Sequence, residues 1–280
     1  MDKSGIYLIT SSKGGVGKST VAVNLAFALA LSGYRVLLAD CDVKNRTLDI
    51  FLGYESGGMF DLADVSDGRV EPGEAMLRDP RCDELYYCTV PAAGRYISPQ
   101  QAARAAIYSA DKIHADYLII DTPGGADFPL GVHKVTDYEA IIVSTTSEPS
   151  LRAASITADT LFADGVTGLH LIINCYRTGR GERRIVPMID RVRAPLFGVI
   201  PYDEEMKDGQ ELGRPAAVIE SAVSPEAFYN IAMRMTGEEV PLLSGVKIRG
   251  RARILRREDP DDEGEDINDR TAPDTEEWDE

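Results

Sequence analysis

The stretch SSKGGVGKST, residues 11–20, decides how the rest of the chain is read. A loop that cradles phosphate follows the pattern G-x-x-x-x-G-K-[ST]. Gly17, Lys18 and Ser19 complete that pattern, but Ser12 stands where its first glycine belongs, and a second lysine, Lys13, precedes the glycines. Gly14, Gly15 and Gly17 let the backbone turn tightly enough for its N–H groups to face phosphate oxygens. The run before the loop reads as a strand and the run after it as a helix, which is the context such a loop requires. Lys18 is then placed to reach β- and γ-phosphates, and the Ser19 hydroxyl to ligate Mg²⁺. The cradle as a whole comprises Gly14, Gly15, Val16, Gly17, Lys18, Ser19 and Thr20.

Outward from the loop, short apolar runs alternate with helical patterns. Strands are expected at 6–10, 36–40, 85–90, 117–121, 140–144, 169–174 and 196–201, mostly as continuous apolar runs. Such runs suit strands covered on both faces. Helices are expected at about 19–32, 99–114, 151–163, 185–193 and 225–235. The alternation predicts an α/β fold: a doubly wound, mostly parallel sheet with helices on both faces. The first helix is rich in alanine, which lets it sit close to a sheet, and Gly33 is its expected stop.

Two strands end in acid. VLLAD closes on Asp40, followed by Cys41 and Asp42, and YLIID closes on Asp121, followed by Thr122-Pro123-Gly124-Gly125. In a parallel sheet both project at the carboxyl edge, where such folds bind ligands. Beside a phosphate loop, an aspartate after four apolar strand residues reads as a Mg²⁺ holder, although it can also merely cap the next turn.

Composition narrows the class. The chain has 280 residues, 44% hydrophobic and 7% aromatic, enough for a sizeable core. Its net charge of −16 is concentrated at one end: residues 258–280 hold thirteen acids and one base, Arg270. The four cysteines form no C-x-x-C pair, so a reducing compartment is expected. The opening MDKSGIYLIT has no secretory pattern and no run of eighteen or more apolar residues follows, so a cytosolic protein is expected. The three histidines are scattered and suggest no metal cluster.

KGGVGKST, with a lysine before the glycines, resembles the deviant phosphate-loop box of the MinD/ParA ATPases. DCDVKNRTLDIFLG, FDLADVSDGRVEPGEAML, SEPSLRAASITADTL, PLFGVIPYDEEM and AFYNIAMRMTGEEVPL resemble later blocks of its MinD branch, in order, over about residues 4 to 243. The resemblance implies ATP and Mg²⁺ as ligands and a homodimer closed face to face over two ATP molecules. It implies that Lys13 reaches the partner's phosphates, as an arginine finger does. It further implies that Asp42 positions the attacking water, Asp40 stands behind the Mg²⁺, Asn174 hydrogen-bonds adenine and Pro201 flanks the base. For these last two, a turn cap and a strand breaker are equally open readings. Ser12 departs from the family pattern and is expected to be tolerated variation. Thr47 replaces the family's asparagine and puts the usual switch contacts in doubt.

Three segments are expected: an ATPase domain over 1–243, a basic segment over 244–257 and an acidic, disordered tail over 258–280. Lys247, Arg249, Arg251, Arg253, Arg256 and Arg257 suit contact with an anionic membrane surface through 246–257. Simple solvation and pairing with the acidic tail are the other readings of that segment. The expected activity is slow, partner-stimulated ATP hydrolysis in division-site positioning. Alternatives are flagellar positioning, DNA partitioning and an ATP-holding adaptor with little turnover. The acidic balance weighs against nucleic acid, although Arg180, Arg183 and Arg184 form a small patch. The segment after Asp121 lacks the cysteine an iron–sulfur reductase of this loop class needs.

Overall fold

The computed structural model describes residues 5–42, 46–54, 59–91, 95–177, 185–219 and 221–241. The basic segment, the acidic tail, Arg180, Arg183 and Arg184 lie outside the described residues. Eight strands form one sheet: β1 (Gly5–Thr10), β2 (Val36–Asp40), β3 (Leu77–Arg78), β4 (Leu85–Thr89), β5 (Tyr117–Asp121), β6 (Glu139–Thr145), β7 (Leu169–Tyr176) and β8 (Leu196–Pro201). The helices are α1 (Lys18–Leu31), α2 (Leu48–Leu52), α3 (Leu62–Ser66), α4 (Pro99–Lys112), α5 (Asp127–His133), α6 (Glu148–Ala163), α7 (Ile185–Val192), α8 (Glu204–Glu211) and α9 (Pro225–Met235).

The strand order is β3-β4-β2-β5-β1-β6-β7-β8: β6, β7 and β8 follow in turn on one side of β1, and on the other side β5 is inserted between β1 and β2. All neighbours are parallel except β3 and β4. The doubly wound sheet is therefore present, with one antiparallel edge. In such a sheet ligands bind where the winding reverses, which puts the candidate site at the carboxyl end of β1.

Because successive strand residues face opposite ways, each strand feeds two cores. Leu8, Leu37, Leu118, Ile142 and Ile173 join α3 to α7 on one face. Tyr7, Ile9, Leu38, Ile119, Val143 and Ile172 join α1 and α9 on the other. Helix α1 packs on β1, β2 and β5 and is covered in turn by α9, which explains its unbroken apolar sequence from Val21 to Leu29 but for Asn24. It ends as expected: the Gly33 N–H reaches Ala30 O (3.0 Å) and the Tyr34 N–H reaches Leu29 O (3.2 Å), with Gly33 in the left-handed region at φ 92°.

Several elements were not legible. A two-residue strand such as β3 has no period to detect. Helix α5 contains Pro129 and Gly131, and α8 (EEMKDGQE) is polar on most positions. Helix α6 starts three residues ahead of the expected 151 because Pro149 occupies its first turn, where a missing N–H costs nothing.

Phe228 of α9 is 2% exposed in the core shared with α1. Phe228→Ala is expected to lower stability by about 3–5 kcal/mol in urea unfolding, through the lost apolar area and the cavity left behind.

Candidate nucleotide site

The loop of residues 11–17 joins β1 to α1 at the carboxyl edge of the sheet. Gly17 is the N-cap of α1 at φ 92°, and no side chain caps that helix end. The N–H groups of the first turn therefore remain available to an anion, and the helix dipole favours one there. Gly17 is required twice over, because a Cβ on it would run into the Asn174 side-chain amide. That amide braces the loop from β7. Asn174 is 2% exposed, its Nδ2 donates to Val16 O (2.9 Å) and its Oδ1 accepts from the Cys175 N–H (2.9 Å).

From the other side the segment after β5 is tied to the same loop. The Gly125 N–H donates to Ser11 O (3.1 Å), and the Thr122 hydroxyl donates to Ile9 O (2.8 Å). The Lys13 N–H reaches the Ser11 hydroxyl (3.2 Å), while Lys13 Nζ lies 3.4 Å from Ser147 Oγ, at the N-cap of α6. Lys13 and Lys18 are both partly buried.

Asp40 and Asp121 stand opposite each other on β2 and β5 and are buried, at 0% and 1% exposure. Their environments differ. Asp40 Oδ1 accepts from the Asp42 N–H (3.0 Å) and Oδ2 from the Leu48 N–H (3.2 Å), so it staples both ends of the segment that leads into α2. Neither oxygen of Asp121 has a hydrogen bond of normal geometry. Burial and the neighbouring Asp40 charge push its carboxyl up to about 8, and the nearby Ser19 hydroxyl and Lys18 charge offset this only in part. Burial likewise lifts Asp40 to about 7 against the pull of its two backbone donors. A buried carboxylate pair short of positive charge, one member of it with no backbone donor, fits a divalent cation. Among the described residues no group of three or more His, Cys, Asp or Glu side chains is arranged to hold a metal. Mg²⁺ is usually held by one or two carboxylates together with substrate phosphates and water.

The structure thus places Lys13, Gly14, Gly15, Val16, Gly17, Lys18, Ser19, Thr20, Asp40, Asp42 and Asp121 at the carboxyl ends of β1, β2 and β5 and the start of α1. Asn174 touches the loop backbone rather than standing clear of it. Pro201 sits further out, paired in register with Tyr176 at the end of β8. Sequence reasoning missed Gln210 on α8, whose amide makes two contacts with the Thr20 hydroxyl (2.9 and 3.1 Å). It also missed a bond from Ser12 to α6. Neither residue belongs to a pattern, since each is matched to a partner more than a hundred residues away.

Residues 7–216 match the CobQ/CobB/MinD/ParA nucleotide binding domain. The septum site-determining protein MinD of Bacillus subtilis is 33% identical over 244 residues, covering 84% of this chain and 90% of that protein. In the MinC:MinD cell division protein complex of Aquifex aeolicus, a chain with 30% identity superposes with a TM-score of 0.75, covering 85% of this chain and 98% of that one. MinD of Pyrococcus horikoshii, solved with Mg-ADP, gives a TM-score of 0.69 at 25% identity, over 82% of this chain and 95% of that one.

A carboxyl whose pKa rises on folding holds its proton more tightly in the folded state. The contribution of Asp121 to the stability of the nucleotide-free protein is therefore lost as pH rises from about 4 to about 8. Asp121→Asn is expected to flatten that loss and to leave the nucleotide-free melting temperature at pH 8 no lower than wild type. The same variant should lose the Mg²⁺-dependent part of the stabilisation by ATP. Melting curves with ATP, in Mg²⁺ and in EDTA, check both outcomes.

Proposed function

The chain belongs to the CobQ/CobB/MinD/ParA family of nucleotide-binding domains, and from that membership we propose a dimerising ATP switch of the MinD type. In this reading the protein binds Mg·ATP, pairs with a second copy, and hydrolyses ATP slowly until a protein partner accelerates it. The observation that carries the reading is the buried Asp121 carboxylate, without a hydrogen bond of normal geometry, set beside the Ser19 hydroxyl at the uncapped start of α1.

The residues divide the chemistry as follows. The N–H groups of residues 14–20 bind phosphate oxygens, and Lys18 adds a fixed charge toward the β- and γ-phosphates. Ser19 and Asp121 would hold Mg²⁺, which would supply positive charge to the phosphates. Asp40 holds the segment that carries Asp42, so the Asp42 carboxylate is presented from a stapled backbone to orient the attacking water. Lys13 supplies the mobile cation for the phosphates across the dimer. Its partner in the single chain, one hydroxyl at 3.4 Å, is weak enough to exchange for an anion. Asn174 holds the loop, and through it the base-side wall of the site.

Relatives named as septum site-determining proteins support division-site positioning as the process, and a relative solved with MinC supports a protein partner. Among the described residues no helix is long and apolar enough to cross a membrane. Membrane contact, in this reading, is peripheral and made through the basic residues of 246–257.

Sedimentation and phosphate release are expected to show a wild-type chain that dimerises only with Mg·ATP and turns it over. Lys13→Ala should keep ATP binding and lose at least about 10³-fold in turnover, the scale of a cationic finger. Wild type that binds ATP without dimerising or hydrolysing it would make the protein an adaptor. Binding to DNA and not to anionic vesicles would place it with DNA partitioning.

A further inference from the structure

Ser12 stands where the phosphate-loop pattern has glycine, and its hydroxyl lies 2.6 Å from that of Thr157 on α6. Thr157 is fully buried and spends its own hydrogen on Ala153 O (2.9 Å), so in this pair Ser12 donates and Thr157 accepts. Such a chain of hydroxyls polarises each member and strengthens the bond to the loop.

The position of this bond gives it leverage. No atom lies within 4 Å of where a Cβ would stand on Gly14 or Gly15, so the crest of the loop has no side-chain packing of its own. It is held at its flanks. On the helix side Asn174 fixes Val16; on the strand side Ser12 fixes the arm immediately before Lys13. The Lys13 amine meets the same helix at its N-cap residue, Ser147 (3.4 Å). Two consecutive loop residues thus lean on two points of α6 ten residues apart.

We propose that Ser12 is a positioning residue for Lys13: through Thr157 it makes the seat of α6 set the reach of the Lys13 amine. This rests on the reading of Lys13 as the cation that acts on ATP. Linkage makes the effect reciprocal, so a displacement of α6 and a displacement of the loop bias each other by the same factor.

The experiment compares Ser12→Gly, Thr157→Val, the double variant and the conservative Thr157→Ser. Hydrogen exchange of the peptide spanning residues 11–20, without nucleotide, reads the bond directly. Exchange is expected to rise about 2- to 10-fold in Ser12→Gly and in Thr157→Val, the range of one neutral hydrogen bond, and to return to wild type in Thr157→Ser. In turnover, kcat should fall by a similar factor with KM for ATP unchanged, as when a contact made only in the transition state is lost. The double variant should fall no further than either single one. In a Lys13→Ala background Ser12→Gly should change neither turnover nor the rate of Mg·ATP release.

Unchanged loop exchange overturns the proposal, as do additive effects of the two single variants or a Ser12→Gly effect that persists without Lys13. Ser12→Gly removes no buried atom, so it decides the matter should Thr157→Val fold poorly. A wild-type chain without turnover would remove the ATPase reading instead. Loop exchange and the Mg·ATP release rate would then still decide whether Ser12 holds the loop.

Discussion

Two carboxylates on adjacent strands, Asp40 and Asp121, share one buried edge without enough positive charge between them. Most of the site follows from that constraint. One of the pair is quieted by backbone donors, and those donors happen to be the two ends of the segment entering α2. The other is left unmatched beside the first turn of α1. A cation arriving with phosphates would satisfy the second and, by relieving repulsion, alter how tightly the first holds its segment. In the proposed switch, nucleotide state and the geometry of that segment would thereby be linked through a few ångströms of electrostatics, with no long relay required.

How much of this was readable beforehand depended on whether a feature is local. The loop, the apolar α1 and the acids at the ends of VLLAD and YLIID declare themselves within ten or fifteen residues. A phosphate cradle is a backbone device, and glycines, a lysine and a strand end are its direct imprint. The partners of Asn174, Ser12 and Thr20 are 158, 145 and 190 residues away in sequence and leave no local trace. Asn174 was legible as a polar strand end, but whether its amide faces a base or the loop backbone depends on how closely β7 approaches Gly17. Helix α8 escaped notice because it is held by Asp203, which accepts from Met206, Val223 and both donors of Ser224, and not by an apolar stripe.

The departures from the family pattern carried more information than the matches. A glycine at position 12 would have satisfied the motif and said nothing beyond nucleotide binding. The serine found there ties the loop to a particular helix. Lys13 declares itself in the sequence by its charge, whereas Ser12, uncharged, reads there only as tolerated variation. The neighbour supplies what a long flexible side chain lacks, a fixed base from which to reach.

The short edge strand β3 has a consequence for assembly. Only Leu77 and Arg78 pair with β4, and a ladder of two residues offers too few free backbone groups to recruit another chain side by side. At this margin the sheet is finished, and continued growth into fibres is discouraged there. In the proposed dimer, copies would meet instead through the loops at the carboxyl edge, and a two-fold pairing there would use up the surface that makes it, so that assembly would stop at two.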